Sequence, residues 1–238
     1  AVGIGPGDER YMTDAAVKAI EASDVLCGYT AYIDLVKDRY PDKQMYSTPM
    51  TKEKERCVWA IERAREGMTV SVVCSGDAGV YGMAGLLLEI MGTDTTIDFE
   101  VVPGITAALS GAALLGAPLM NDFCVISLSD LLTPWDMIEK RIRAAAQSDF
   151  AVALYNPASH KRTDHLRRAC DIMLTYRDPG NACGWVRNIG RENEEKGVLT
   201  LKDLRDYKAD MFTTVFIASS AADIVGGRIV TKRGYSIK

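Results

Sequence analysis

Four short segments combine the residue types from which ligand loops are built, and each follows an apolar run. They are GIGPGD at 3–8, SGDAGVYG at 75–82, PGITA at 103–107 and YNPASHKR at 155–162. Glycine allows sharp turns and close backbone approach, while Asp, Asn and Tyr supply hydrogen-bonding groups. Each segment alone is also ordinary turn chemistry. Together they predict one ligand site, because loops that follow strands in open α/β sheets converge at one edge.

The first of these segments differs from a dinucleotide-binding loop at the place where a phosphate would lie. The third glycine of the pattern GxGxxG would fall at Asp8. That carboxylate would repel a diphosphate, and Pro6 lacks an amide donor. The acid expected for a ribose is also misplaced, because Asp24 precedes the run VLCGY. The loop is therefore interpreted either as a site for a ligand that is neutral or positive near Asp8, or as a plain turn.

The cysteines and histidines argue against several other kinds of site. The six cysteines form no C-x-x-C pair, so neither a zinc site nor a redox motif is predicted. Several lie inside apolar runs, which is typical of free buried thiols in a reducing cytoplasm. His160 and His165 are the only histidines, and their spacing places them on different faces of a helix. We expect no metal site and no catalytic triad.

Composition narrows the possible partners. The chain has 238 residues, of which 47% are hydrophobic and 25% charged, with a net charge of -4. These values are typical of a soluble globular protein and argue against a nucleic-acid partner, which would require a basic surface. No targeting segment is recognised at the start. The uncharged stretch 101–121 contains Pro103 and Pro118, so we expect a strand end and a buried helix there and no membrane partner.

Alternating apolar and amphipathic stretches predict an α/β fold with a mainly parallel sheet. Helices are predicted over 13–23, 32–36, 52–66 and 83–91, after Gly104, and over 134–146 and 161–176. After the first strand at the N-terminus, strands are predicted over 25–29, 68–75, 97–103, 123–129, 150–156, 182–188 and 213–219. The segment GAPLMND at 116–122 is interpreted as a junction between an N-terminal half, 1–115, and a C-terminal half, 116–238.

With these motifs in place, the chain resembles the tetrapyrrole methylases, which use S-adenosylmethionine to methylate intermediates of corrin and sirohaem synthesis. The likeness covers essentially the whole chain. Five segments resemble more narrowly the branch that methylates precorrin-3B or cobalt-precorrin-3B at carbon 17, with ring contraction, in cobalamin biosynthesis. They are CGYTAYIDL at 27–35, SGDAGVYGMAGL at 75–86, ISLSDLLTPWDMIEKR at 126–141, YNPASHKR at 155–162, and GWVRNIGRE at 184–192.

The resemblance implies an architecture, a cofactor and partners. The expected fold is two α/β/α halves with the active site in the cleft between them. The N-terminal half would supply a tetrapyrrole trough and donor loops, and the C-terminal half would complete the S-adenosylmethionine site. S-adenosylhomocysteine would be the product, the substrate a small tetrapyrrole rich in carboxylates, and the protein a cytoplasmic homodimer. Apolar residues of GMAGLLLEIM at 82–91 are candidates for the dimer contact, although a core helix explains them equally well.

The resemblance also assigns roles to residues. Those expected to bind the donor are Pro6, Gly76, Asp77, Ala78, Tyr81, Thr106, Ala107, Tyr155, Asn156, Val186, Arg187, Thr213 and Thr214. Gly5 and Gly7 belong to the loop that opens the substrate trough. Acid or base candidates for the ring chemistry are Asp8, Asp77, Ser129 and Asp130, with Ser127, Tyr29 and Tyr32 as further possibilities. No metal ligand is assigned.

Elementary chemistry is compatible with these roles. A sulfonium is favoured by carbonyl dipoles and by a carboxylate such as Asp77, although that acid could equally bind ribose hydroxyls. Substrate carboxylates need cations, and Lys161 and Arg162 lie close to the predicted site. Arg167 and Arg168 are interpreted as a solvated helix face at least as readily. The acidic and basic candidates are not ranked by their spacing.

Other functions remain open from the sequence. They are another tetrapyrrole methylase step at a different ring carbon, a relative that acts on diphthamide or on ribosomal RNA, a dinucleotide-dependent oxidoreductase, and a non-catalytic binding module. A nicotinamide enzyme is disfavoured by Asp8 and by the position of Asp24. Whether the substrate contains cobalt also stays open.

Overall fold

Residues 1–235 are described by a computed structural model, in which they form two units. The first spans Ala1–Ala107 and the second begins at Ala108. The division falls where the sequence predicts a helix after Gly104. The predicted functional halves, 1–115 and 116–238, stay a prediction.

The first unit contains a four-stranded parallel sheet. Its strands are β1 (Val2–Gly3), β2 (Val25–Tyr29), β3 (Gln44–Thr48) and β4 (Val70–Cys74), in the order β1-β4-β2-β3. The central strands are continuous apolar runs because helices cover both faces of a parallel sheet. Every strand therefore ends at the same edge, and the loops GIGPGD and SGDAGVYG lie there.

Four helices flank this sheet, and most match the prediction. They are α1 (Asp14–Ala22), α2 (Thr30–Ile33), α3 (Glu53–Arg65) and α4 (Ala84–Met91). Thr13 caps α1, because its hydroxyl accepts a hydrogen bond from the Ala16 N–H at 3.1 Å. One face of α1 packs on the β1 side of the core, and α3 and α4 pack with Cys27 and Val72.

The strand predicted over 97–103 is wrong. Only Val102 joins the sheet, through a single parallel bridge to Val2. Pro103 has no N–H with which to extend the ladder, and Ile97 and Phe99 instead pack against the α3 and α4 cluster. Alternating apolar residues indicate that one side of a segment is buried. Here the segment is a loop, and its apolar side chains pack against helices instead of in a sheet.

The second unit contains most of the strands that the sequence did not predict. Its elements are α5 (Ala107–Leu115), β5 (Gly116–Ala117), β6 (Phe123–Ser127), α6 (Trp135–Gln147), β7 (Ala151–Tyr155), α7 (His165–Met173), β8 (Ala182–Arg187), β9 (Glu195–Thr200), α8 (Leu201–Leu204), β10 (Thr213–Ile217), β11 (Ala222–Val225) and β12 (Arg228–Thr231). Part of the predicted junction, β5, pairs with β12, so GAPLMND contributes to a small sheet.

The main sheet of this unit is mixed, in contrast to the parallel sheet of the first unit. Its order is β6-β7-β10-β8-β9, and only β6 and β7 pair in parallel. A buried strand reads as the same apolar run in either direction, and therefore the sequence did not reveal the antiparallel pairs. One face packs on α6, α7 and α8. The other packs on α5, where Gly111 lies against Phe216 and Ile189.

Within residues 1–235, no helix combines the length and the apolar composition that a membrane crossing requires.

Candidate active site

Two strand-end loops of the first unit are joined by a reciprocal pair of backbone hydrogen bonds. The Gly5 N–H donates to the Gly76 carbonyl at 3.1 Å, and the Gly76 N–H donates to the Gly5 carbonyl at 2.7 Å. Both residues have positive φ, +74° and +73°. A side chain at either position would be strained, so glycine is required by the junction itself. The predicted convergence of GIGPGD and SGDAGVYG is confirmed.

The PGITA loop approaches this junction through Gly104. A Cβ on Gly104 would lie 2.1 Å from the Gly76 carbonyl oxygen, a distance at which backbone would have to move. Gly104 also donates its N–H to Asp77 Oδ2 at 2.9 Å. Three of the four predicted loops therefore meet, and backbone atoms make most of the contacts.

Asp77 organises the second loop with both carboxylate oxygens. Oδ1 accepts the N–H groups of Gly79 and Val80 at 2.8 and 3.1 Å, while Oδ2 accepts that of Gly104. A carboxylate with three amide donors is an efficient clamp for a loop. Its predicted donor-binding and catalytic roles stay predictions, but its structural role is evident from these bonds.

Gly76, Thr106 and Ala107, which the sequence assigns to donor binding, lie close together. A Cβ built on Gly76 would stand 3.6 Å from Thr106 Cα and 3.7 Å from Ala107 N, which is ordinary contact distance. Gly76 therefore lies against the backbone of Thr106 and Ala107. Such an arrangement suits a ligand recognised largely through backbone groups, as S-adenosylmethionine is expected to be.

Two other predicted donor residues of this loop differ in exposure. Ala78 is completely buried. Tyr81 is exposed and adopts φ of 54°, an uncommon conformation for a non-glycine residue.

Asp8 forms a local ion pair with Arg10. The Arg10 Nη2 donates to Asp8 Oδ2 at 2.8 Å, and the Arg10 backbone N–H donates to Oδ1 at the same distance. These hydrogen bonds hold the pKa of Asp8 below its ordinary value of 3.8. Of its neighbours, Pro6 is buried and Gly7 half-buried. An ionised Asp8 is better suited to accept a proton or to face a positive ligand than to donate a proton.

In the second unit, three predicted donor residues lie in one row across the sheet. Thr214 of β10 pairs with Val186 of β8. On the other side of β10, Val215 pairs with Leu154 of β7, so the next pair in this antiparallel register is Thr214 with Tyr155. All three point to the face that α5 covers, because alternate strand residues share a face. Tyr155 Oη accepts the Ala108 N–H at 2.6 Å and so caps the start of α5.

The other two predicted donor residues of β8 and β10, Arg187 and Thr213, point to the opposite face of the sheet. Arg187 Nε donates to Asp210 Oδ2 at 2.7 Å, and the Thr213 hydroxyl donates to Asp210 Oδ1 at 2.8 Å. The sequence placed Arg187 with Val186 and Thr213 with Thr214, but the structure does not bring the side chains of each pair together. Any donor contact of Arg187 or Thr213 on the α5 face would have to use backbone.

The YNPASHKR loop is tied to the end of β6 by side chains. Asn156, with φ of 53°, donates from Nδ2 to the Ser127 hydroxyl at 3.0 Å. Arg162 Nε donates to the Ser159 hydroxyl at 3.2 Å, and Arg162 Nη1 lies 3.5 Å from the Asn156 carbonyl. Lys161 is exposed. Arg162 is therefore fixed in place, while Lys161 extends into solvent.

The remaining acid or base candidates lie beside this loop. Ser129 donates its N–H to Ser127 Oγ at 3.2 Å. Asp130 Oδ2 lies 3.0 Å from His165 Nε2. This contact, with a smaller effect of Arg162 4.0 Å away, holds the pKa of Asp130 below its ordinary value.

Sequence reasoning missed His165. It considered the histidines only as a metal pair, whereas His165 is buried at the start of α7 between Asp130 and Asp164. The one available signal was the motif SDLLTPW, which follows β6 and contains Asp130. Arg167 and Arg168 take part in structural contacts, with Asp206 at 3.7 Å and with the Trp135 ring at 3.8 Å.

The cysteines are free and mostly buried, as predicted. Burial raises the pKa of Cys27 and Cys170 to about 12 and that of Cys57 to about 11. Thiols with such pKa values are poor nucleophiles at neutral pH. Among the residues that the structure describes, no cluster of three or more His, Cys, Asp or Glu side chains could hold a metal ion.

The chain is similar to proteins of one family. The family model described as Tetrapyrrole (Corrin/Porphyrin) Methylases matches residues 1–205. A protein of Salmonella typhimurium named probable cobalt-factor III C(17)-methyltransferase is 46% identical over 99% of this chain and 98% of its own length. Cobalt-factor III methyltransferase of Priestia megaterium is 45% identical over 100% of this chain, which spans 45% of that longer protein.

Comparison with solved structures supports the same grouping. The crystal structure of the methyltransferase CobJ has a TM-score of 0.90 and 36% identity, covering 97% of this chain and 98% of CobJ. The cobalt precorrin-4 methyltransferase CbiF has a TM-score of 0.75 at 22% identity, covering 91% of this chain and 92% of CbiF, which supports the fold alone.

Proposed function

Because the chain belongs to the tetrapyrrole methylase family, we propose that it is an S-adenosylmethionine-dependent C-methyltransferase of cobalamin biosynthesis that methylates cobalt-factor III at carbon 17. The main support is its 46% identity, over 99% of the chain, to a protein named for that activity. The 36% identity to CobJ adds a solved structure with the same overall fold.

Four relatives support a substrate that contains cobalt. The proteins from Salmonella typhimurium, Priestia megaterium, Methanothermobacter thermautotrophicus and Methanocaldococcus jannaschii are all named for cobalt-factor III, at 39–46% identity. Cobalt would enter as part of the tetrapyrrole. The metal-free precorrin-3B is the competing substrate, and the two can be compared directly.

Donor contacts are proposed for each unit taken separately. In the first unit, Gly76 lies against the backbone of Thr106 and Ala107, which suits a ligand held by backbone groups. Asp77 fixes this arrangement through Gly104. In the second unit, Tyr155, Val186 and Thr214 lie in one row, and Asn156 directly follows Tyr155. Pro6, Ala78 and Tyr81 complete the proposed set, with Arg187 and Thr213 limited to backbone contacts if they share the α5 face.

Bound S-adenosylmethionine supplies a methyl group on a positively charged sulfur. An electron pair on the ring carbon forms the new carbon–carbon bond, and the sulfur retains the pair of the broken bond, giving S-adenosylhomocysteine. Charge disperses in this step, so the protein contributes mainly by aligning the two reactants and by excluding water. Backbone loops locked by Gly5, Gly76 and Gly104 are suited to alignment because they have few alternative conformations.

Proton transfers would accompany the expected ring contraction. Asp8 and Asp130 have lowered pKa values, which favour the ionised form but make it a weaker base, so each is proposed as a fixed negative charge that can still accept a proton from an acidic partner. Asp77 and Ser129 stay candidates, and Gly5, Gly7, Lys161 and Arg162 stay proposed substrate contacts. A cation such as Arg162 suits the substrate carboxylates.

The assembly and the location of the protein are also proposals. We propose a cytoplasmic homodimer. Leu87 and Met91 of the GMAGLLLEIM segment are buried within the first unit, while Leu88 is exposed and available to a partner. Sedimentation of the purified protein would reveal a monomer if the dimer proposal is wrong, and cell fractionation would test the location.

Calorimetry and turnover test the function in sequence. The protein should bind S-adenosylhomocysteine at one site and ignore a nicotinamide dinucleotide. With 13C-methyl-labelled donor and cobalt-factor III, the label should appear at carbon 17, as NMR of the product would show. Absence of donor binding in folded protein, or a label at another carbon, would overturn the proposal. If metal-free precorrin-3B is turned over faster than cobalt-factor III, the proposed substrate is wrong, whereas the proposed methylation at carbon 17 still holds.

A further inference from the structure

The segment 128–134 connects β6 to α6 and is contacted at both ends by one buried histidine. Asp130 lies near the beginning of this segment, with Oδ2 3.0 Å from His165 Nε2. Trp135 follows its end and packs edge-to-face on the His165 ring, with centroids 4.9 Å apart. His165 is 6% exposed, and its Nδ1 lies 3.1 Å from Asp164 Oδ1. The first turn of α7 therefore fixes both ends of the segment, which we call the 128–134 loop.

Two leucines protrude from this loop. Leu131 is 74% exposed and Leu132 is 93% exposed, the largest exposure among the large hydrophobic residues of the described chain. Exposed apolar side chains gain free energy when a ligand removes them from water. Because the 128–134 loop is fixed at both ends, its backbone loses little conformational entropy when a ligand binds to Leu131 and Leu132.

The surroundings of the loop indicate which ligand fits. The Leu128 N–H donates to the Tyr155 carbonyl at 2.8 Å, so the loop begins beside the proposed donor contacts of β7. Arg162 Nε lies 4.0 Å from Asp130 and is fixed by the Ser159 hydroxyl. An apolar pair beside a guanidinium matches a flat apolar macrocycle whose rim bears carboxylates.

We propose that His165 is a positioning residue that holds the 128–134 loop through Asp130 and Trp135, so that Leu131 and Leu132 bind the apolar face of the tetrapyrrole. The inference rests on the proposed function and adds a specificity element to it. His165 touches neither substrate nor donor in this scheme.

Leu132→Ser tests the apolar contact without disturbing the core. Because the substrate would bury Leu132 in the complex, loss of this side chain should raise the KM for cobalt-factor III about tenfold, with kcat and S-adenosylhomocysteine affinity unchanged. Val225→Ser, which changes an exposed residue of β11, is the matched control and should leave all three values unchanged. An unchanged KM in Leu132→Ser, or a change of oligomeric state in its place, would overturn the contact with the substrate.

His165→Gln tests the positioning role, with exposed His160→Gln as its control. We expect KM to rise about tenfold through the misplaced loop, with a smaller change in kcat. Chymotrypsin should also cleave at Leu131 or Leu132 faster in His165→Gln than in His160→Gln, even without substrate. Equal cleavage rates together with equal KM values would refute the role of His165.

A double mutant separates positioning from catalysis. If Asp130 and His165 act through one contact, Asp130→Asn with His165→Gln should raise KM no further than the more damaging single change. A fall in kcat at constant KM in Asp130→Asn would instead make Asp130 a catalytic residue and overturn its positioning role. Wild-type protein that binds S-adenosylhomocysteine but never methylates cobalt-factor III would refute the proposed function, which is a different outcome.

Discussion

The candidate loops of the two units are fixed by different means. In the first unit, backbone atoms of Gly76 contact both Gly5 and Gly104, and the Asp77 carboxylate accepts the amides of Gly79, Val80 and Gly104. In the second, the loops after β6 and β7 are joined largely by side chains, through Asn156 to Ser127 and through Asp130 to His165. The close backbone contacts of the first unit leave no space for an added side chain, whereas the side-chain contacts of the second unit can be removed one hydrogen bond at a time. The difference predicts which substitutions abolish a loop and which only loosen it.

Gly104→Ala should have the largest effect. Its methyl group would lie 2.1 Å from the Gly76 carbonyl oxygen, so the loops must separate. We expect the free energy of unfolding to fall by about 3 kcal/mol and S-adenosylhomocysteine binding to be lost. Gly85→Ala on α4 is the control, since a Cβ there meets no atom within 4 Å. It should stabilise the protein by about 0.5 kcal/mol in denaturant titration. Equal stabilities would contradict a backbone junction.

Asp77→Asn should have the next largest effect. The new amide group can face either Gly104 or the Gly79 and Val80 amides, and in each case one side loses its acceptor. The expected cost is about 2 kcal/mol in the free energy of unfolding, with weaker donor binding measured by calorimetry. Donor affinity that falls with no loss of stability would show that the carboxylate binds the ligand directly and does not act through the loop.

Tyr155→Phe probes the side-chain construction of the second unit. Without the hydroxyl, the Ala108 N–H at the start of α5 loses its acceptor at 2.6 Å. Chemical denaturation should report a loss of about 1 kcal/mol. Tyr176→Phe, which removes an exposed contact with Gln147, should change little. A loss as large as that of Gly104→Ala would erase the contrast between the units.

Arg187→Met should have a small effect on both stability and donor binding. Its partner Asp210 is partly exposed, and such surface pairs contribute little. If the Arg187 side chain points away from the α5 face, S-adenosylhomocysteine affinity should stay the same. A clear loss of affinity in calorimetry would restore the direct donor contact of that side chain.

The smallest expected effect concerns the pH response of Asp8. Arg10 lowers the pKa of Asp8 in the folded chain, so the pair contributes fully above the ordinary value of 3.8 and is lost as pH falls below the lowered one. NMR titration should find a carboxyl that titrates below 3.8 and moves up towards that value in Arg10→Ala. An unchanged titration would mean that another group lowers this pKa.

Much of the first unit could be predicted because its signals are local. Thr13 marks the start of α1, and the glycines of GIGPGD and SGDAGVYG mark a junction that only glycine can form. The strand over 97–103 failed because its alternation fits packing on helices as well as pairing.

The sequence by itself determined the family, the apolar strands and the glycine loops, since these depend on neighbouring residues and on backbone conformations that few residue types allow. Only the tertiary structure decided the antiparallel pairing of β7, β10, β8 and β9, which places Tyr155, Thr214 and Val186 in one row across the sheet. It also brought His165 to Asp130. Strand direction and contacts between distant residues are chosen by packing over the whole unit, and no local pattern records them.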